Sequence, residues 1–202
     1  MFIAVLLSSC GTISKIISTQ EVQDKWQQRQ QDISSMQDWH MKGRMVVVNG
    51  AELWAMSVDW QQKGDEYIIY LSGPFGAGKV QLAGSRNGVL LKDSDDQLFY
   101  AATPEELLLE HTGVAMPLSY LRFWMLGLPQ PSTSQNENHA KLDQQGRLES
   151  LNREQWDIVF KRYIKINAYV GKPVDLPDKI FISKGEDIKV RVVVGEWLFD
   201  KT

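Results

Sequence analysis

The only cysteine of the chain is the residue whose position most directly predicts chemistry. Cys10 follows an apolar run, MFIAVLL, and two small residues, Ser8 and Ser9. An apolar run that closes in small residues before a cysteine is typical of a bacterial lipoprotein signal, in which the thiol is joined to lipid and the residues before it are removed. The sequence therefore predicts a signal peptide over residues 1–9, lipidation of Cys10 and a lipidated tether over residues 10–18.

Two features beside Cys10 bear on this prediction. No Lys or Arg precedes Lys15, although a secretory signal begins with positive charge. A start further upstream and an apolar tail with an incidental cysteine therefore both stay open. Gly11 stands where lipoproteins retained in the inner membrane carry Asp. A lipidated Cys10 followed by Gly11 points to an anchor in the outer membrane, with the chain on its periplasmic face.

The other residue types that could carry chemistry form no recognisable catalytic or metal constellation. His40, His111 and His139 lie in unrelated segments, without the spacing of metal ligands. No serine stands in a G-x-S-x-G turn. The glycines of residues 73–78 join two candidate strands and do not open a helix, which argues against a phosphate loop. We therefore predict a protein that is not an enzyme and that needs no metal or cofactor.

Composition limits the class of protein. The chain has 202 residues, of which 43% are hydrophobic, so that residues 19–202 suffice for one domain with a substantial core. Its net charge of -3 argues against nucleic acid as a partner. No second segment approaches the ~20 apolar residues of a membrane-spanning helix. The seven tryptophans suggest a roomy apolar interior or an interface.

The periodicity of apolar residues predicts one long helix followed by a β-meander. Val22, Trp26, Arg29, Ile33 and Met36 recur at the helical period, which predicts a helix over residues 19–36 with Thr19 as its cap. From residue 39 onward the period is two. One face of a strand is predicted to carry Trp54, Met56, Val58 and Trp60, and the opposite face Leu53, Ala55, Ser57 and Asp59. Further strands are predicted over residues 79–83, 88–92, 97–101, 140–142, 148–152, 155–163, 179–183 and 187–194. Short polar turns between them favour antiparallel hairpins that curl into a barrel or half-barrel.

Two further helices are predicted between the strands. Thr103 can cap a helix that has Pro104 at its first position and Glu106 at its third. A second helix is predicted from Pro117 to Gly127 and is apolar around most of its circumference, so it should be buried or line a cavity. The longest loop is predicted to follow it, through residue 138.

Several motifs, in this order and spacing, resemble the LolB family of outer-membrane lipoprotein receptors. They are Gly73-Pro74-Phe75-Gly76, Met116-Pro117-Leu118 with Leu121, Trp124-Met125-Leu126-Gly127-Leu128-Pro129, Trp156 within a strand, Leu176-Pro177, and Trp197. The resemblance extends over most of the chain that follows Cys10. One departure is Phe75, where the family commonly has Leu.

The resemblance implies a fold and a function. The fold would be mainly β, a half-open antiparallel barrel of about eleven strands with three helices that cover and plug an apolar cavity. Such a monomer would accept acylated lipoproteins from a LolA-type periplasmic carrier and insert them into outer-membrane lipid without ATP. Two alternatives stay open: a lipid-anchored protein that binds another acylated or amphiphilic lipid, and a structural lipoprotein with a packed interior.

The resemblance also implies roles for individual residues. The acyl-chain cavity would be lined by Trp60, Trp124, Trp156, Trp197, Leu121, Phe123 and Met125. Phe75 would protrude and assist delivery into the membrane, on a loop formed with Gly73, Pro74 and Gly76. Four cations are candidates for a basic patch that docks the carrier: Lys161, Arg162, Lys165 and Lys172.

Overall fold

Three helices and eleven strands make up the described part of the chain. The computed structural model describes residues 18–76, 78–113, 116–131, 139–169 and 172–199. The predicted signal peptide, Cys10, nearly all of the predicted tether and residues 132–138 of the predicted loop lie outside these ranges. The helices are α1 (Thr19–Ser34), α2 (Pro104–Thr112) and α3 (Leu118–Met125). Within the described residues, no helix combines the length and the apolar character that crossing a bilayer requires.

The strands form one antiparallel sheet that is not closed. Their order in space is β6-β5-β4-β3-β2-β1-β11-β10-β9-β8-β7, so sequence neighbours pair and the first strand pairs with the last. The strands are β1 (Asp38–Asn49), β2 (Glu52–Lys63), β3 (Glu66–Ser72), β4 (Val80–Ser85), β5 (Gly88–Lys92), β6 (Leu98–Ala101), β7 (His139–Leu142), β8 (Leu148–Arg153), β9 (Trp156–Tyr169), β10 (Lys172–Lys184) and β11 (Ile188–Leu198). Because β6 and β7 are the two edges, the sheet is a half-open barrel. The predicted fold class is confirmed.

The alternation predicted for β2 is the alternation observed. Trp54, Met56, Val58 and Trp60 point to the concave face, and the residues between them point outward. A side chain on every second residue of a strand reaches the same face, so one strand supplies four large apolar groups to the interior.

The sequence placed the helix caps correctly for α2 and one residue too late for α1. Thr103 caps α2 and accepts the Glu106 N–H at 3.3 Å, as predicted. At α1 the cap is Ser18, whose hydroxyl accepts the Glu21 N–H at 3.1 Å, and Thr19 is the first helical residue. Serine and threonine are comparable caps, so the local sequence alone does not indicate which of Ser18 and Thr19 is the cap.

Strands β9 and β10 are longer than predicted. The second of them was predicted to begin only at residue 179, beyond Pro173 and Pro177, and a proline lacks the N–H that a strand donates to its neighbour. In the structure β10 already begins at Lys172, and its register with β9 shifts across Pro173 and again just after Pro177. Such bulges let a strand continue past a residue that lacks an N–H.

Helix α1 covers one end of the barrel. The Lys25 ammonium donates to the Gln144 carbonyl in the β7–β8 turn at 3.4 Å, and Gly64 in the β2–β3 turn donates to the Gln37 carbonyl at 3.1 Å. The end of the barrel that α1 covers is called here the α1 end. The β1–β2 turn, the β10–β11 turn and the loop between β3 and β4 lie at the other end, called here the mouth end.

The absence of a side chain at Gly43 lets β1 pack directly against the backbone of β11, which gives the first prediction. A Cβ at this position would overlap the Val193 carbonyl oxygen, beside a shift in register between the two strands. Gly43→Ala should therefore lower the free energy of unfolding by about 1–3 kcal/mol, because the backbone of β11 must move. Gly195→Ala is the matched control, since its Cβ would meet nothing closer than 3.6 Å. Urea denaturation measures both; equal stability of the two variants would contradict the prediction.

Candidate functional site

A cavity of about 980 Å³ lies on the concave side of the sheet. Strands β1 to β6, with Val192 of β11, form one wall, and α2, α3 and the segment just before α3 form the other. Its volume is at the upper end of the range of small-molecule sites, roughly 300–1,000 Å³. The cavity reaches the mouth end, where Gly73, Pro74 and Gly78 contribute to its lining.

Methionines are unusually concentrated in the lining of this cavity, beside leucines and valines. Five of the seven methionines of the chain line the cavity: Met41, Met45, Met56, Met116 and Met125. A thioether side chain is unbranched and polarisable, so it adapts to apolar ligands of variable shape. Of these five, only Met125 was predicted from the sequence to line the cavity. The inward alternation of Met41, Met45 and Met56 was the signal that could have identified three of the others.

The helical wall is built by spacing along α3. Leu118, Leu121 and Met125 lie three and four residues apart, so they share one face of the helix, and all three line the cavity. Leu108 of α2 completes this wall. Helix α3 thus divides the interior. The face that carries Leu118, Leu121 and Met125 is turned toward the cavity, and the residues between these three lie on the other sides of the helix.

Three of the seven residues predicted to line the cavity do so: Trp60, Leu121 and Met125. The indole N–H of Trp60 donates to the Gln62 side-chain oxygen at 3.0 Å. Its polar atom is therefore satisfied within the protein, and the rest of the ring is available as apolar wall.

The other predicted residues are not among those that line this cavity. Trp124 is buried on another side of α3 and donates to the Gln130 side-chain oxygen at 3.1 Å. Trp156 is buried at the start of β9, beneath the Lys184 ammonium, and Trp197 packs on Trp39 with ring centroids 5.6 Å apart. Phe123 lies beside a separate pocket. Burial of a tryptophan follows from its size, and which space it faces depends on the packing around it.

Phe75 is fully exposed at the mouth end. It lies in a short 3-10 turn, Pro74–Gly76, between β3 and β4, and its backbone has φ +58°. Positive φ is uncommon for a bulky residue. The pairing of β3 with β4 does not by itself require this backbone conformation at Phe75. Exposing a whole phenyl ring to water is unfavourable. The neighbours Gly73 and Pro74 line the cavity, which places Phe75 at its rim.

Comparison with known proteins identifies the family. The sequence profile of the family described as "Outer membrane lipoprotein LolB" matches residues 37–197. This chain belongs to the LolB family. Over 194 residues it is 33% identical to the outer-membrane lipoprotein LolB of Alkalilimnicola ehrlichii, covering 96% of this chain and 92% of that one. The LolB of Nitrosococcus oceani is 32% identical over 193 residues, with 96% and 92% covered. The predicted family is confirmed.

Solved structures with a similar fold are distant in sequence. A putative outer membrane lipoprotein-sorting protein domain from Vibrio parahaemolyticus superposes with a TM-score of 0.51 at 8% identity, covering 88% of this chain and 92% of that one. A DUF1329 family protein from Desulfovibrio piger gives a TM-score of 0.50 at 10% identity, with 89% and 93% covered. At such identities the likeness concerns the fold alone.

Few polar groups line the cavity of this LolB family member. They are Glu52, Ser72, Asp93 and His111. The His111 ring packs on Phe99, with centroids 4.1 Å apart. Glu52 and His111 are exposed and the other two are half-buried, so these groups belong to the rim. A ligand in the interior would therefore meet apolar surface and no fixed charge.

The predicted basic patch is only partly free to act as one. Lys161, Arg162 and Lys165 are exposed on β9, whereas the Lys172 side chain lies outside the described part of the structure. The Arg162 guanidinium makes two hydrogen bonds from Nε to the Asp178 carboxylate, at 2.9 and 2.7 Å. This pairing neutralises one of the three charges.

The buried phenol of Tyr67 gives a pH-dependent prediction. Burial raises the pKa of Tyr67 well above its ordinary value, and the Glu105 carboxylate adds to the effect. The folded state therefore favours the neutral phenol. Its contribution to stability is complete below the unfolded-state pKa of about 10 and is lost as the pH rises above it.

Tyr67→Phe should accordingly reduce the loss of unfolding free energy above about pH 10. At neutral pH the variant should be at least as stable as the parent, because it removes a buried hydroxyl that has no hydrogen-bond partner among the described residues. Urea denaturation at neutral and alkaline pH tests both statements. Tyr70→Phe, at an exposed position of the same strand, is the control and should leave the alkaline slope unchanged.

Proposed function

We propose that this chain is an outer-membrane lipoprotein receptor. It accepts acylated lipoproteins from a LolA-type periplasmic carrier and inserts them into the outer membrane without ATP. In this proposal the lipid on Cys10 holds the domain at the periplasmic face of that membrane. The transfer makes and breaks no covalent bond, so no catalytic residue is needed.

The observation that carries the proposal is the position of an exposed apolar side chain at the rim of an apolar cavity. The cavity offers methionine and aliphatic side chains, which suit flexible acyl chains. Phe75 stands in water beside it. An apolar group that is exposed in solution becomes favourable when it enters a bilayer, so the rim is suited to contact lipid at the moment when acyl chains leave the cavity.

Energetics explain why a receptor is required and why it can work without nucleotide. Each methylene of an acyl chain in water costs about 0.8 kcal/mol, so a free acylated lipoprotein does not diffuse between membranes. Transfer needs only that each acceptor bind the chains more tightly than its predecessor, from carrier to receptor to bilayer. A step of about 1.4 kcal/mol gives a tenfold bias.

A transfer assay tests the proposal. The Cys10→Ala chain, which cannot be lipidated, is mixed with a LolA-type carrier loaded with a labelled acylated lipoprotein, and the label is followed by gel filtration. We expect the label to move onto this chain and to remain there until liposomes are added. If the carrier delivers to a known receptor but not to this chain, the proposal is wrong. Binding of a fluorescent fatty acid in that case would favour the alternative, a binding protein for another amphiphile.

A further inference from the structure

A second pocket, of about 890 Å³, lies at the α1 end of the barrel. It is bounded by α1, by the β2–β3 turn and by the segment that follows α3. None of the residues that line it also lines the methionine-rich cavity. The two lie on different sides of α3, since Leu121 and Met125 face the cavity whereas Arg122 and Phe123 face this second space. We call it the α1 pocket.

The lining of the α1 pocket differs in chemistry from that of the cavity. Trp26, Ile33, Phe123 and Leu128 offer apolar surface. Polar side chains are interspersed among them, including four glutamines and two arginines: Gln30, Gln37, Gln62, Gln130, Arg86 and Arg122. Such a mixed lining suits a ligand that has both a polar head and an apolar body.

Gln130 is the most informative of these residues, because it is only 3% exposed. Its side-chain oxygen accepts the Trp124 indole N–H, but its NH₂ group has no partner among the described residues. Gln62 provides the contrast: its NH₂ donates to the carbonyls of Gly64 and Glu66, at 2.8 and 3.2 Å. A buried donor without an acceptor is costly and calls for an explanation.

Arg122 supplies a second unused donor at the same pocket. Its Nη1 donates to the Asp65 carboxylate at 3.1 Å, while its Nε is buried and has no partner in the described part of the chain. Arg86 binds the other oxygen of Asp65 through Nε, at 2.6 Å. Two guanidinium groups thus share one carboxylate, which leaves these three residues with a net positive charge. The orphaned donors and the charge both favour a ligand with anionic oxygens.

We propose that the α1 pocket binds an anionic amphiphile. The Gln130 NH₂ and the Arg122 Nε–H donate to oxygens of its head group, and its apolar part packs on Trp26, Phe123 and Leu128. This ligand is separate from the acyl chains that the methionine-rich cavity would hold, so the site goes beyond the proposed receptor function. Failure of either proposal leaves the other intact.

The site is tested by NMR on the isotope-labelled Cys10→Ala full-length chain. The signals to follow are the Gln130 side-chain NH₂ and the Arg122 Nε–H, with the Met56 and Met125 methyl groups reporting on the other cavity. The probes are octyl phosphate, inorganic phosphate and octyl glucoside. We expect octyl phosphate to shift the Gln130 and Arg122 signals at concentrations where the other two probes leave them unchanged. Equal shifts with inorganic phosphate or octyl glucoside, or shifts confined to the methionines, would overturn the proposal.

Two variants and matched controls support the assignment. Gln130→Glu keeps an acceptor for Trp124 but replaces the donor with an acceptor. Arg122→Met removes the other donor at a half-buried position and keeps an unbranched apolar side chain there. Each should weaken octyl phosphate binding by about tenfold or more, because hydrogen bonds to charged groups are the strong ones. Gln61→Glu and Arg44→Met make the same chemical changes at exposed positions of β2 and β1 and should leave the affinity unchanged. Unlike Gln130→Glu, the Arg122→Met variant introduces no buried charge. Unaltered affinity in Arg122→Met would therefore contradict the proposal.

Discussion

Replacing Phe75 with glutamate is expected to block the delivery of acylated cargo to membranes while cargo binding persists. Phe75 is fully exposed and its side chain is not part of the cavity lining, so the change should leave the cavity intact. A charged side chain at the centre of a bilayer costs about 2.5–3.5 kcal/mol on insertion scales, whereas a phenyl ring is favoured there. We therefore expect delivery to slow by at least about tenfold. The measurement is the rate at which a labelled lipoprotein passes from the loaded chain to sedimenting liposomes.

Two further variants control for charge and for side-chain identity. Leu109→Glu makes a comparable change at an exposed position of α2 that does not line the cavity, and it should deliver normally. Phe75→Leu keeps an apolar side chain on the turn and should retain most of the activity. Normal delivery by Phe75→Glu, with cargo binding preserved, would exclude a role for this side chain in membrane contact.

Met56→Glu is expected to abolish tight binding of acyl chains. Met56 is half-buried and points from β2 into the cavity, so a carboxylate there stays hydrated in the empty protein and becomes buried when a chain fills the space. Burying a charge without a partner is strongly unfavourable. We expect the affinity for a fluorescent acyl-chain probe to fall by about a hundredfold or more, which corresponds to about 2.8 kcal/mol.

The next residue along the strand is the control for this effect. Ser57→Glu places the same carboxylate on the outward face of β2, at an exposed position. It should bind the probe as the parent chain does, and both variants should unfold at similar urea concentrations. Loss of binding in both variants, or in neither, would be inconsistent with a ligand that occupies this cavity.

Local sequence patterns predicted those parts of the fold that depend on neighbouring residues. The Thr103 cap, the alternation along β2 and the apolar α3 each follow from interactions within a few residues, and each is as expected. The prediction was wrong where a distant strand compensates for a local signal. Pro177 reads as a strand breaker, yet β10 continues through it because bulges against β9 absorb the missing donor.

The candidate site was harder to predict than the fold, as the tryptophans illustrate. Their size and their place in the motifs indicated buried positions, and Trp60, Trp124, Trp156 and Trp197 are all buried. Of these four, only Trp60 lines the cavity. Burial is a property of a side chain and its strand, whereas a cavity exists where packed elements fail to fill the space between them.

By itself, the sequence determined the family, the order of the strands along the chain and the identity of the loop that carries Phe75. These follow from motifs and periodicities that are short in range. Only the tertiary structure decided that five methionines from four segments of the chain face one cavity, and that Gln130 and Arg122 each have a donor without a partner among the described residues at another pocket. The physical reason is that an empty space, and a polar atom without a partner, are set by distances between residues far apart in the chain, which no local pattern contains.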